Sequence, residues 1–220
     1  MDENLKKILQ NKRAYIFDLD GTLADSEKLQ WEAHKMTLKS MFNVDLDDEH
    51  IYTYLGLPEP DLFMAFEKDF NFSMGGEKGY DKYAKVRMKT AAKLVLKTAE
   101  PFSYVNEILG TAGLGLRYCL VTAQNKDLVK KMLKKWNYGG YFNDRNIYYC
   151  DKGRNKAYYY DYFFKNVVKN AKPEEIVLFE DVNKWLKEAK NRGFTTVGID
   201  NNFGNEKLEA DLVVKTQDVK

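Results

Sequence analysis

Two aspartates one residue apart, Asp18 and Asp20, close the short apolar run Ala14-Tyr15-Ile16-Phe17, and Gly21 and Thr22 follow at once. The run carries aromatic and β-branched residues and reads as a buried strand. Two carboxylates at the mouth of such a strand repel each other and lose hydration, so the pair needs a compensating cation or a catalytic use. If the chain stays extended through Leu19, both side chains point the same way. One can then attack an electrophile while the other, partly protonated, gives a proton to the leaving group. A carboxylate approaching a phosphate dianion needs a divalent cation with oxygen ligands between them, and Mg²⁺ is the expected one. The plain alternative is a strand followed by an Asp-Gly turn, in which Gly21 lets the backbone bend sharply. The full string D-L-D-G-T directly after an apolar strand favours chemistry.

Other elements must bring partners to that strand end. At 220 residues the chain is long enough for one well-cored domain, or a core domain with an insertion. Hydrophobic residues at 44% suit a globular protein, and a formal charge of +2 carries no nucleic-acid or membrane footprint. No apolar run is long enough to span a bilayer, and Met1-Asp2-Glu3-Asn4 lacks the basic-then-apolar order of a signal peptide. Cys119 and Cys150 lie in apolar runs and read as reduced core thiols. The expectation is a cytoplasmic protein, and a monomer, since no coiled-coil seam is evident.

Residues 1–12 read as a short polar helix or a loose arm. Ser26 can cap a helix over Glu27–Phe42 with Leu29, Ala33, Met36 and Met41 near one face. Up to Lys97 nothing reads as a strand. Amphipathic helices are expected at Asp48–Leu55, Pro60–Asp69 and Tyr80–Lys97, parted by Gly56-Leu57-Pro58 and the glycine-bearing stretch Asn71–Gly79. A helical block inserted directly after the first strand looks like a lid. From Pro101 strands and helices alternate: strand Tyr118–Val121, helix Asp127–Trp136, strand Asn146–Tyr149, and a long helix Asn155–Asn170. Strand Ile176–Phe179, helix Asn183–Arg192 closed by Gly193, and strand Thr195–Ile199 follow, with room for a last strand at Ala210–Val214. Units of this length predict an α/β fold, a Rossmann-like parallel sheet with helices on both faces, whose ligand crevice lies beyond the carboxyl ends of the strands.

By that rule the residues just past each strand carry the most weight. Thr122 comes after Tyr118–Val121 and offers a hydroxyl to a phosphoryl oxygen; alternatively it caps a helix. Glu180 and Asp181 come after Ile176–Phe179, a second acidic pair after a second buried strand; alternatively they are helix-dipole charges. Lys156 opens the helix after Asn146–Tyr149, where an ammonium would offset phosphoryl charge; alone it reads as a surface lysine. Two strand ends with adjacent carboxylates make an oxygen-ligand site for a hard cation. Jointly, and all at strand ends, the plain readings lose ground.

In order and spacing these segments resemble the four motifs of the haloacid dehalogenase (HAD) superfamily: Asp18-Leu19-Asp20-Gly21-Thr22, Thr122 in C-L-V-T-A-Q-N, Lys156, and Glu180-Asp181 in L-F-E-D. The layout is similar to β-phosphoglucomutase-like and phosphoglycolate-phosphatase-like members. The resemblance implies a core domain of residues 1–25 and 98–220 with an all-helical cap at 26–97. It implies Asp18 as the nucleophile of an aspartyl-phosphate and Asp20 as general acid and base. Thr122 and Lys156 would hold the phosphoryl group. Mg²⁺ would be bound by Asp18, the Asp20 backbone carbonyl and Asp181, with Glu180 a ligand or its neighbour. Gly21, Thr22 and Ala123 would line the substrate, with Gln30 and Leu57 as cap contacts beside Tyr52 and Tyr54.

Departures from the motifs bear on the chemistry. The third motif reads Lys156-Ala157 rather than Lys-Pro, with Lys152 as a rival lysine. Val182 and Trp185 replace the serine and glycine that usually follow the fourth motif, making the site bulkier. Gln30 stands where the mutases carry a histidine, and no arginine lies between Asn43 and Glu67 to hold a second phosphate. The expected activity is hydrolysis of a small phosphorylated metabolite, with no nucleic-acid or membrane partner. A sugar-phosphate mutase, or a catalytically weak binding or regulatory module on the same fold, are the alternatives. Lys82, Lys85, Arg87, Lys89 and Lys93 could steer an anionic substrate or form a solvated helix face.

Overall fold

Ala14-Tyr15-Ile16-Phe17 forms strand β1 (Ala14–Phe17), buried along its whole length. The computed structural model describes residues 3–54, 57, 59–111, 116–151, 153–203 and 207–216. Helix α1 (Glu3–Leu9) precedes β1. Helices α2 (Glu27–Phe42), α3 (Asp48–Tyr54), α4 (Glu59–Asp69), α5 (Glu77–Thr98) and α6 (Ser103–Thr111) lie between β1 and β2 (Arg117–Thr122). After β2 come α7 (Lys126–Lys135), β3 (Ile147–Tyr149), α8 (Lys156–Tyr162), β4 (Ile176–Glu180), α9 (Asn183–Lys190), β5 (Thr195–Asp200) and β6 (Leu212–Lys215). The strands form one sheet in the order β3-β2-β1-β4-β5-β6. Every pairing is parallel. β1 is therefore central and near-continuously apolar, as a strand buried on both faces must be.

Alternation along the strands sends side chains to two helical layers. Ala14 and Ile16, with Cys119, Val121, Ile176 and Leu178, pack against Tyr159, Tyr160 and Phe163 and against Ala189 of α9. Tyr15 and Phe17 face the other way. Phe17 stacks on Phe179 at 4.6 Å between ring centres and meets Phe142 edge-on at 6.0 Å. Tyr104 of α6 stacks on Phe179 at 6.3 Å.

The chain divides into two compact units, Met1–Asp25 with Glu100–Lys220, and Ser26–Ala99. The first carries the sheet, and the second consists of α2–α5. Several elements differ from their sequence reading. Thr122 is the last residue of β2 rather than the first beyond it. The helix expected over Asn155–Asn170 is α-helical only to Tyr162 and continues as a π turn, Phe163–Val167. That widened turn buries Phe163 fully while Phe164 packs on Phe194 at 5.5 Å. Helix α6 has no counterpart in the sequence reading, although Tyr104, Val105, Ile108 and Leu109 are all buried at helical spacing. The last strand begins at Leu212 rather than Ala210.

In the second unit α2 packs along α5. Its buried face is Trp31, Ala33, His34, Thr37 and Leu38, whereas Met36 is 47% exposed. The large ring of Trp31 and the His34–Tyr83 pair fix the rotation of the helix. Ser26 has near-helical backbone angles, and its side chain makes no capping bond. Lys82, Lys85, Lys89 and Lys93 are exposed, but Arg87 lies half a helical turn away and binds Glu59 and Gln30.

His34 gives this unit a pH dependence. Its Nδ1 lies 2.8 Å from the Tyr83 hydroxyl. Burial, then the nearby Arg87 charge, lower its pKa to about 3. The unfolded chain takes up a proton below about pH 6.5 that the folded imidazole refuses, so this stability is complete above that pH and falls as pH drops toward 3. Between pH 7 and pH 5 the wild type should lose roughly 2 kcal/mol relative to His34→Gln. Urea midpoints of both proteins at each pH check this; parallel pH profiles would refute it.

Candidate active site

Because all strands run parallel, their carboxyl ends share one edge of the sheet, and the chemistry-bearing residues collect there. The register pairs Phe17 with Phe179, so one step further Asp18 faces Glu180. The Asp18 amide N–H donates to the Phe179 carbonyl at 3.1 Å, which carries the ladder up to the site. The chain then turns tightly. Leu19 O accepts from the N–H groups of Leu23 and Ala24 at 2.9 and 3.0 Å, and Gly21 N–H donates to Ala24 O at 2.9 Å. Gly21 has φ +76°, and a β-carbon there would collide with Asp181 Oδ2 and lie 2.6 Å from Asn201 Nδ2. Only glycine satisfies both conditions.

Asp18, Glu180 and Asp181 each present a carboxylate oxygen within 4.8 Å of the others'. Asp18 is 7% exposed and Glu180 fully buried. Lys156, the first residue of α8, reaches back so that its Nζ lies 2.7 Å from Asp18 Oδ1 and 2.7 Å from Glu180 Oε2. Asn155 aims that helix start by accepting the Tyr158 N–H at 3.0 Å. Burial lowers the Lys156 pKa, but the attraction of Asp18 and Glu180 outweighs it and holds the ammonium well above its usual range. Burial, with repulsion from Asp18 and Asp181, pushes Glu180 well above the carboxylate range, and Lys156 only partly offsets this. Three carboxylates against one ammonium leave an excess of negative charge in a desolvated place. An all-oxygen donor set of that charge fits a hard divalent cation.

The remaining expected residues are distributed as follows. Asp20 is not in the three-carboxylate cluster; its Oδ2 accepts from Gln124 Nε2 at 3.2 Å. Thr122 is buried; its Oγ1 accepts the Gln124 N–H at 3.0 Å, and its hydroxyl proton has no acceptor among the described residues. Asn125, not Thr122, caps α7, accepting from Asp127 and Leu128 N–H. Thr22 Oγ1 donates to Asp181 Oδ1 at 3.1 Å, while the Tyr104 hydroxyl donates to the Thr22 carbonyl. Ala123, next in the chain after Thr122, is exposed. Lys152 lies outside the described residues. Val182 is 38% exposed, and the Trp185 ring lies 5.8 Å from Lys156 Nζ.

Gln30 and Leu57 belong to the second unit. Gln30 Oε1 accepts from Arg87 Nη1 at 3.3 Å, and Leu57 is 40% exposed. Tyr52 is exposed, and Tyr54 is buried, donating to Asp69 at 2.7 Å.

Two residues escaped the sequence reading. Gln124 follows Thr122 by two positions, inside a segment already singled out. Asn201 directly follows β5, so the same strand-end rule pointed to it. Its Nδ2 donates to the Gly21 carbonyl at 2.9 Å and to Asp181 Oδ2 at 3.0 Å.

Known proteins resemble this chain in sequence and in fold. An alignment of 136 positions, covering 59% of this chain, is 26% identical to a protein of Caldanaerobacter subterraneus subsp. tengcongensis provisionally named pyrophosphatase PpaX. The match spans 56% of that relative, a little over half its length. Among solved structures, CbbY from Rhodobacter sphaeroides in complex with phosphate superposes with a TM-score of 0.74 at 19% identity, covering 92% of this chain and 93% of that one. A HAD hydrolase of family IA, variant 3, from Entamoeba histolytica superposes with a TM-score of 0.71 at 17% identity, covering 92% of each. At these identities the structures speak for the fold. The model of the haloacid dehalogenase-like hydrolase family matches residues 15–199, and the chain belongs to that family.

Proposed function

We propose that this protein is a Mg²⁺-dependent phosphatase that hydrolyses a small phosphorylated metabolite through an aspartyl-phosphate on Asp18. The observation that carries the proposal is the convergence of Asp18, Glu180 and Asp181 around one point, with Lys156 bound to two of them. Asp18 Oδ1 is engaged by Lys156, and Oδ2 has no partner among the described residues, which leaves it available as a nucleophile. In the first step an Asp18 oxygen bonds to phosphorus, the ester P–O bond breaks, and the leaving oxygen takes a proton from Asp20. In the second step water attacks the phosphoryl group, Asp20 takes the water's proton, and orthophosphate leaves with Asp18 restored. Gln124, donating to Asp20, keeps that carboxyl out of the metal cluster and orients it.

Lys156 and the Thr122 hydroxyl, whose proton has no acceptor among the described residues, provide a cation and a donor for the phosphoryl oxygens. Asp18 and Asp181, with the Asp20 carbonyl, would hold Mg²⁺, which when bound neutralises charge on the phosphoryl oxygens. Both Glu180 oxygens are already engaged, one by Lys156 and the other by the Asp181 N–H at 3.2 Å. That suits Glu180 to orienting the pair rather than to leading the coordination. Gln30 offers no titratable group, which favours transfer to water over transfer to a second sugar hydroxyl. The unit Ser26–Ala99 would act as the cap that selects the substrate.

A phosphate-release screen over sugar phosphates, nucleotides, phosphoglycolate and pyrophosphate tests the reading; pyrophosphate is included because of the PpaX relative. Release that needs Mg²⁺ and stops with EDTA is expected. No release from any compound at saturating Mg²⁺ would remove the proposal.

A further inference from the structure

We propose that Asn201 is a positioning residue that holds Asp181 in its cation-binding orientation; the inference rests on the function proposed above. Asn201 sits in the loop after β5 and is 8% exposed. Its carboxamide has two N–H donors and one carbonyl. One N–H goes to the Gly21 carbonyl at 2.9 Å and one to Asp181 Oδ2 at 3.0 Å, while Oδ1 accepts the Phe203 N–H at 2.9 Å. The Phe203 N–H can only donate, so it settles which end of the amide is oxygen. A flipped amide would set its oxygen against two acceptors, the Gly21 carbonyl and the Asp181 carboxylate.

One side chain thus ties together three loops, those following β1, β4 and β5. The other Asp181 oxygen is held independently by Thr22 Oγ1 at 3.1 Å. The two donors thus grip the carboxylate at both of its oxygens. The rotation of Asp181 about its own axis is frozen before the cation arrives, and the ordering cost is not charged to binding. The absence of a β-carbon at Gly21 makes room for this, since a β-carbon there would meet both Asp181 Oδ2 and Asn201 Nδ2.

The test uses the full chain as Asn201→Ala and as the near-isosteric Asn201→Leu. Mg²⁺ binding without substrate is measured by calorimetry, and the Mg²⁺ concentration for half-maximal phosphate release separately. Both variants should remain folded and bind Mg²⁺ about 10–100-fold more weakly. At saturating Mg²⁺, kcat should return to the wild-type order of magnitude, because Asn201 touches no reacting atom. Affinity within about twofold of wild type in a folded variant would overturn the assignment while leaving the phosphatase reading intact. Loss of the folded state in both variants would also overturn it, by assigning Asn201 to fold support. A wild type that binds no Mg²⁺ would instead overturn the proposed function itself, and the wild-type arm shows this separately.

Discussion

Asp18→Asn is expected to lower phosphate release by at least about 10⁴-fold while leaving the protein folded. The amide is isosteric with the carboxylate, and its oxygen can still accept from Lys156 Nζ, which lies 2.7 Å from Asp18 Oδ1 in the wild type. The loss is confined to the anionic oxygen that must bond to phosphorus. The substitution also removes one of the buried negative charges that crowd Glu180, which offsets the weakened ion pair. Fold should therefore survive where chemistry does not. Freshly purified variant, compared with wild type by phosphate release at saturating Mg²⁺ and by far-UV circular dichroism, decides the matter. A folded variant keeping a tenth or more of the activity would rule out Asp18 as the nucleophile.

Lys156→Met should be the more damaging substitution for the fold. Methionine matches the length of the lysine stem but leaves Asp18 and Glu180 facing each other without a cation. Glu180 is fully buried and Asp18 nearly so, and removing one member of a buried ion-pair network costs about 3–5 kcal/mol. For a chain of this size that corresponds to a melting temperature lower by roughly 6–20 °C. Phosphate release should fall by about 10²-fold or more as well, because a fixed cation beside the phosphoryl group is lost. Differential scanning calorimetry in EDTA isolates the stability effect from any metal. A melting temperature unchanged in EDTA would show that the Lys156 ion pairs contribute nothing net. The structural consequence, that Lys156 neutralises this site, would then be wrong.

Both predictions concern residues visible in the sequence, and the reason is local. Ala14–Phe17 is apolar, β-branched and aromatic, and its strand has the boundaries expected from pattern alone. Strand β4 is just as apolar and extends one residue further, to take in Glu180. Where a face or an ending depends on a distant partner, local pattern misleads. Met36 reads as core in a helical wheel, yet Trp31, His34 and Leu38 are the buried ones, and His34 meets Tyr83 of α5. Arg87 reads as one more surface cation in a basic helix, yet the helical period turns it inward to Glu59 and Gln30. The helix after β3 gives way to a π turn at Phe163, where two consecutive aromatics are both drawn into packing. Helix α6, by contrast, is written in the local pattern, since its apolar residues recur at the helical period.

The residue types of the site, and their places at strand ends, were determined by the sequence itself, because an apolar run that stops in carboxylates marks its own boundary wherever it folds. Which of those groups touch was decided only by the tertiary structure. The parallel sheet sets Asp18 beside Glu180, Lys156 reaches them from the start of another element, and Asn201 joins Gly21 to Asp181 across 180 and 20 positions of chain. Sequence carries no record of such distances. Hydrogen bonds between separate loops form only after strand order and register have brought those loops to one edge.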